Sequence, residues 1–275
     1  MEDCPSLSYR EIAPSAQLAF HIECYWFLTG TAGISRDFHR ILPDGRMEIV
    51  VNLGAPIRRV RHDGATEFQP RCMLVGQMDQ HVTIQPAGRL DVVGVRFRPA
   101  GAFGFLRLPL HELRNQTVAT AEVLSDLTDE LEEKLSEAAS VRQRVFALES
   151  SLLAGSPQSP QRDLLLEEAV RRVLMNAGRI TVDALAQEMR VSTRELERRF
   201  RKKIGLGPKS FCRIVRFQDA FRQHGMAEDA WATVALECGF YDQPHFIKEF
   251  KRITGETPPE FFSRLDPVTG VFANR

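Results

Sequence analysis

The sequence has little of what marks a secreted, membrane-spanning or metal-dependent protein. Its 275 residues include only five cysteines, Cys4, Cys24, Cys72, Cys212 and Cys238, an odd number, scattered and never in a Cys-x-x-Cys pair. Neither a disulfide framework nor a cysteine zinc site is indicated. The chain starts with no basic-then-apolar leader, and no apolar run approaches the roughly 18 residues that cross a bilayer, so a reduced, cytoplasmic protein without membrane contact is expected. Histidines His21, His39, His62, His81 and His111 stand alone, without the His-x-His cluster and nearby carboxylate of a metal site, so no metal and no cofactor are expected. Net charge is absent too: 36 basic residues balance 36 acidic ones, and bulk charge does not point to a polyanionic partner.

The charge is unevenly distributed. Residues 161–275 carry 20 Lys or Arg against 16 Asp or Glu, whereas residues 1–160 carry 16 against 20. The run Ala154-Gly155-Ser156-Pro157-Gln158-Ser159-Pro160 is poor helix material and reads as a linker. Two domains are expected, 1–155 and 156–275, each within the usual domain size.

The second part contains a repeat. Phe200, Gly205, Pro208 and Phe211 recur 50 positions later as Phe250, Gly255, Pro258 and Phe261. In the first copy, Ala186 lies on a helix from Val182 to Met189, Arg190-Val191 turns, and Ser192 caps a helix carrying Thr193, Arg194, Glu197 and Arg198. Glu195, three after Ser192, completes a capping-box pattern. In the second, Ala235 lies on Trp231 to Cys238, Gly239-Phe240 turns, and Asp242 caps a helix carrying Gln243, His245, Lys248 and Lys251. The second turn is one residue longer. Leu196 and Phe200, like Phe246 and Phe250, are spaced i and i+4 and face inward. A helix, a turn, a polar cap and a basic helix ending at glycine describe a helix-turn-helix, here in tandem, at about 181–205 and 231–255.

From Arg190 to Arg216 there are ten Lys or Arg and two acids. Alone, such a run reads as a solvated helix face. Placed on a repeated helix-turn-helix, it points to phosphate contact and groove reading. An amphipathic helix from Leu164 to Asn176 precedes the first unit, and a helix from Pro208 to about His224 joins the two.

Ala186, Ser192, Leu196, Arg198, Phe200, Gly205 and Pro208, then Ala235, Gly239-Phe240, Phe246, Lys248, Phe250-Lys251, Gly255 and Pro258-Pro259, together resemble the AraC/XylS family of transcription regulators over about residues 164–264. The resemblance implies that one chain lays both second helices into successive major grooves, one DNA turn of about 34 Å apart. It implies promoter DNA and RNA polymerase as partners. By position, Arg194, Glu197 and Arg198 read bases, with Ser192 and Thr193 at the helix start; the counterparts in the second unit are Gln243, Pro244 and Lys248. Arginine suits guanine, glutamine adenine and glutamate cytosine. Pro244 departs from that chemistry and can give only apolar contact. His245 is placed for phosphate, as are Arg201, Lys202 and Lys251, which lie toward the helix ends. Glu197 has an alternative role as the i+4 partner of Arg201.

The first part reads as short β-rich runs at Phe20–Leu28, Met47–Leu53, Met73–Val75, His81–Ile84 and Val92–Phe97, with a turn at Leu42-Pro43-Asp44-Gly45. Family members often carry a cupin-like barrel here; the runs also fit a sandwich. The turn and strand, with Arg96-Phe97-Arg98-Pro99-Ala100-Gly101-Ala102, resemble a poorly characterised sensor-like domain. Trp26, Phe27, Phe38 and His39 are either pocket lining or core. Residues 111–153 read as helical, with Leu124, Leu127, Leu131 and Leu135 along one face and Val141, Val145, Leu148 and Leu152 along another, for packing on the β-domain or for a homodimer contact.

The expected fold class is therefore α+β in two domains: a β-rich barrel or sandwich with helices, then an all-α tandem helix-turn-helix domain. The expected function is a sequence-specific DNA-binding regulator responsive to a small-molecule effector, and not an enzyme. The alternatives are a constitutive DNA binder whose first domain only dimerises, and an enzyme using a reactive thiol at Cys24 or Cys72 fused to a DNA-binding module.

Overall fold

The computed structural model describes residues 7–30, 38–60, 64–106, 108–155, 162–224 and 231–273. Its first part is built on two antiparallel sheets. The larger has the strand order β1 (Leu7–Ile12), β2 (Ile22–Gly30), β9 (Leu90–Phe97), β4 (Glu48–Asn52), β7 (Cys72–Val75), β10 (Thr117–Ala119). The smaller runs β3 (His39–Ile41), β8 (Val82–Pro86), β5 (Ile57–Val60), β6 (Thr66–Phe68). Among the described residues no strand pairing joins the two sheets, so the domain is a stack of open sheets and the closed-barrel expectation gives way to the sandwich.

Alternation along the strands explains the layering. On β2, Trp26 and Leu28 face the small sheet, where they pack with Val50, Met73 and Val92 against Ile57, Ile41 and Ile84. Tyr25 and Phe27 face the other way, into a second core with Ile49, Val51, Leu74, Val93 and Val95. Helices α2 (Ser125–Glu137) and α3 (Val141–Gly155) cover that second face through Leu131, Leu135, Leu148 and Leu152. Both leucine and valine rows proposed from the sequence thus turn toward the sheet; the side chain of Leu127 lies outside the described residues. The central sheet is apolar on both faces, and each such side chain fully removed from water contributes about 1.5–3 kcal/mol. Between residues 111 and 122 the expected helix is replaced by β10 and two short 3-10 turns.

The second part is helical: α4 (Leu164–Met175), α5 (Val182–Glu188), α6 (Thr193–Ile204), α7 (Pro208–His224), α8 (Trp231–Glu237), α9 (Gln243–Thr254), α10 (Pro258–Phe262) and α11 (Pro267–Ala273). Two cores flank α7. Leu196, Phe200, Ile204, Phe211 and Cys212 belong to one; Phe217, Phe221, Phe246, Phe250 and Phe261 belong to the other. The linker residues 156–160 lie outside the described residues.

The two parts meet along α7. The Leu42-to-Gly45 turn presses into this seam: Leu42 is buried in the core of the second unit, and Pro43 O accepts from Gln218 Nε2 at 2.8 Å. Gly45 has φ +79° and lies against the Phe211 ring, where a Cβ would stand 2.9 Å from Cε2. Buried Gln77 donates to Gly45 O at 2.9 Å and holds the turn from behind.

Candidate nucleic-acid interface

The two helix-turn-helix units share their backbone hydrogen bonding as well as their sequence spacing. In the first turn, Arg190 N donates to Gln187 O and Val191 N to Ala186 O, both at 3.1 Å. In the second, Gly239 N donates to Leu236 O at 3.0 Å and Phe240 N to Ala235 O at 2.8 Å. Arg190 and Gly239 hold the matching left-handed position, at φ +55° and +72°. Ala186 and Ala235 are both buried where the helices cross.

The second helix of each unit starts and ends alike. Ser192 Oγ accepts from Glu195 N at 3.2 Å, and Asp242 Oδ1 accepts from His245 N at 2.8 Å. Gly205 and Gly255 close α6 and α9 in the left-handed region, at φ +95° and +84°. The capping box expected at Ser192 is only half formed. Glu195 turns its carboxylate to Arg198 and Arg199, which hold it below the usual carboxylate range.

Since the turns match at an offset of 49 and the caps at 50, the inserted residue is Tyr241. It is 87% exposed at the entrance to α9, directly before the cap. Its backbone N–H donates to His245 Nδ1 at 3.3 Å. With Nδ1 accepting that bond, Nε2 is the ring nitrogen left as a donor. Sequence reasoning passed over Tyr241 itself, although the one-residue difference between the turns was its signal.

Ser192, Thr193, Arg194 and Arg198 of α6 are exposed, and Glu197 is half-buried, 3.6 Å from Arg201. Gln243, Pro244, His245, Lys248 and Lys251 of α9 are exposed. Lys202 is exposed but sits 5.9 Å from the centroid of the Phe103 ring, on the side of the β-domain.

The basic run is less free than its count suggests. Arg199 and Lys203 both bind Asp163 at the start of α4, at 2.9 and 2.8 Å. Burial would raise the Asp163 carboxyl, but the Lys203 hydrogen bond, the Leu166 amide and the two cations prevail and hold it below its ordinary value. Arg213 pairs with Glu249 of α9 at 3.4 Å. Arg216 donates to Gly178 O at 2.8 Å and to Gly239 O at 3.2 Å, pinning the second turn to the loop before α5. Four of the ten cations are thus ties within the fold, and Arg190, Arg194, Arg198, Arg201, Lys202 and Lys209 are the exposed ones.

The β-domain supports the far ends of both second helices. Gly205 abuts Leu110 O and Gln77, while Gly255 abuts the His81 ring. His81 N donates to Ile253 O at 2.8 Å, and Arg40 grips Glu256 bidentately at 2.6 and 2.7 Å. Both helices are held by their C-termini with their polar faces outward.

The two candidate thiols, Cys24 and Cys72, are both buried. Burial pushes Cys24 up to about 12 against the partial opposition of Arg96, and burial pushes Cys72 up to about 11. A raised thiol disfavours the thiolate that a nucleophile needs. No described helix is long and apolar enough to cross a membrane. Of the four residues weighed for a pocket, Trp26 lines an apolar cavity between the sheets, Phe27 is core, Phe38 is exposed, and His39 is buried against Asp266.

Residues 10–119 match a domain of unknown function (DUF6597), and residues 185–264 match a helix-turn-helix domain. The chain is 29% identical to the HTH-type transcriptional regulator ArgR of Pseudomonas aeruginosa over 140 residues, 51% of this chain and 40% of that one. It is 28% identical to the HTH-type transcriptional activator RhaS of Pectobacterium atrosepticum over 74 residues, 27% of this chain and 26% of that one. It thus spans less than half the length of these curated relatives. ToxT of Vibrio cholerae is similar in structure at a TM-score of 0.46 and 11% identity, over 95% of this chain and 98% of that one. The C-terminal part of the chain, residues 185–264, is thus a helix-turn-helix domain of the AraC type, the type found in transcription regulators.

Proposed function

We propose that the chain is a sequence-specific regulator that grips promoter DNA with α6 and α9 in successive major grooves, with residues 1–155 as a sensor domain and 156–275 as the DNA-binding domain. The observation that carries this reading is the matched pair of capped helices, each anchored at its C-terminus and each presenting a polar face to solvent. On α6, Arg194, Glu197 and Arg198 read bases, Ser192 and Thr193 fix the helix start, and Arg201 and Lys202 hold phosphate. On α9, Gln243 reads a base while His245, Lys248 and Lys251 hold phosphate, so sequence choice rests chiefly on the first unit.

The effector site in this reading is the apolar cavity between the two sheets. Its body is lined by Trp26, Leu28, Met73 and Val92, and one end carries Asp44, Arg46 and Glu48 beside the turn that meets α7. A homodimer contact is supported by Phe146 and Leu153, seven residues apart and exposed on α3. RNA polymerase is the partner expected of a promoter-bound regulator working in the cytoplasm.

Selection of bound sequences from a random duplex pool tests the proposal. Two conserved elements with centres about one helical turn, roughly 10–10.5 base pairs, apart are expected. Recovery of a single element would remove α9 from groove reading, and recovery of no preferred sequence would overturn the reading as a whole.

A further inference from the structure

The helix-turn-helix match ends at residue 264, yet the chain continues into α11, which leaves the DNA-binding core and lies on the β-domain. Three observations describe that contact. Val268 is 1% exposed and belongs to the core between the two sheets, where Val271 packs beside it. Val268 also forms part of the cavity wall, facing Trp26 and Met73 across the same space. The helix is tied by polar contacts that span the seam. Buried His39 donates from Nδ1 to Asp266 at 2.7 Å, and Arg40 N donates to the Thr269 hydroxyl at 2.9 Å.

The second tie is informative because β3 is the edge of the small sheet, paired among the described residues with β8 alone. An edge strand leaves backbone groups unpaired, and here α11 supplies the missing acceptor. Asp266 in turn caps α11, accepting from Thr269 N at 2.9 Å. One carboxylate thus orders the helix and fastens it to the β-domain.

The cavity is about 90 Å³ with this helix in place. An apolar cavity of roughly 150 Å³ is known to accept benzene. A single aromatic ring therefore needs more room than the cavity offers with α11 in place, and Val268 is the part of the wall that belongs to a short, terminal element.

We propose that α11 is an internal stopper of the inter-sheet cavity, and that a small neutral apolar molecule, an aromatic ring or a branched aliphatic, binds there by displacing Val268. The inference rests on the reading of that cavity as the effector site. Release of α11 also removes a tie next to Glu256, whose grip on Arg40 holds the second unit, so the ligand would loosen α9 while the contacts of α6 with Leu110 and Gln77 persist.

Indole is a suitable probe, added to the full-length protein without DNA. Calorimetry compares wild type with the double variant Asp266→Ala/Thr269→Val, which lacks the polar ties, and amide hydrogen exchange follows residues 39–41 and 266–271. Binding about tenfold tighter to the double variant is expected, because the ligand no longer has to break those bonds. In wild type, indole should speed exchange in both segments. Equal affinities together with unchanged exchange would overturn the proposal, as would the absence of binding to both forms. Should the double variant not fold, exchange in wild type decides alone. Neither readout involves DNA, so a chain that selects no duplex sequence can still show the competition, and normal DNA selection without competition removes only the stopper.

Discussion

Arg198 grips Glu195 one turn back on its own helix, with Nε and Nη2 each 2.8 Å from a carboxylate oxygen. The pair is exposed, so it contributes little to stability. Its consequence is positional: it holds the guanidinium along the outer face of α6 before any DNA arrives. If Arg198 reads a base, Arg198→Ala lowers affinity for the selected duplex by about 1–3 kcal/mol and relaxes preference at one position. Titrations against single-position variants of the duplex measure this; a uniform loss across all of them would make Arg198 a phosphate contact.

Tyr241 offers the second unit a contact that Pro244 cannot. With the ring 87% exposed before the N-cap, it can meet a thymine methyl, while its hydroxyl can reach phosphate. Tyr241→Ala should weaken binding and reduce discrimination in the second element, whereas Tyr241→Phe separates the two roles by keeping the ring. If both variants bind like wild type, the inserted residue is a spacer in the turn and nothing more.

The tandem units were legible because their signals are local. Caps at Ser192 and Asp242, closing glycines at 205 and 255, and phenylalanines four apart each act within one or two turns of helix. The β-domain was less so: β3, β6 and β10 have three residues each, too few for alternation to register. The seam was not legible at all. Leu42 lies among phenylalanines some 175 to 220 positions away, and the pairing of His81 with Ile253 or Arg40 with Glu256 has no local pattern. Counting charge along the chain also overstated the DNA-facing charge, because Lys203, Arg213 and Arg216 find their partners only in the packed fold and Arg199 gains Asp163 there beside its local partner Glu195.

Gly205 and Gly255 test how far the β-domain supports the reading helices. Both have positive φ, where a side chain costs about 1–2 kcal/mol. At Gly205 a Cβ would also stand 3.0 Å from Leu110 O, a backbone atom, whereas at Gly255 the obstacle is the His81 ring. Gly205→Ala should therefore destabilise more than Gly255→Ala in chemical denaturation. Equal losses would mean that backbone strain alone sets the cost and that the seam yields freely.

Asp163 links charge to stability in the DNA-binding half. Its carboxylate caps α4 through Leu166 N and binds Arg199 and Lys203 of α6, and these contacts hold it below the value of an unfolded aspartate, about 3.9. A depressed carboxyl stabilises the fold above its unfolded value, and that stability is lost as pH falls through the folded value. Asp163→Asn keeps a capping oxygen and removes the charge, so it should cost about 1–3 kcal/mol near neutral pH. Wild type and variant should converge as acid protonates the native carboxylate. Denaturant unfolding at intervals from pH 7 down to about pH 2.5 follows that convergence. A difference that stays constant across the range would assign the cost to lost packing at the start of α4 and not to the charge.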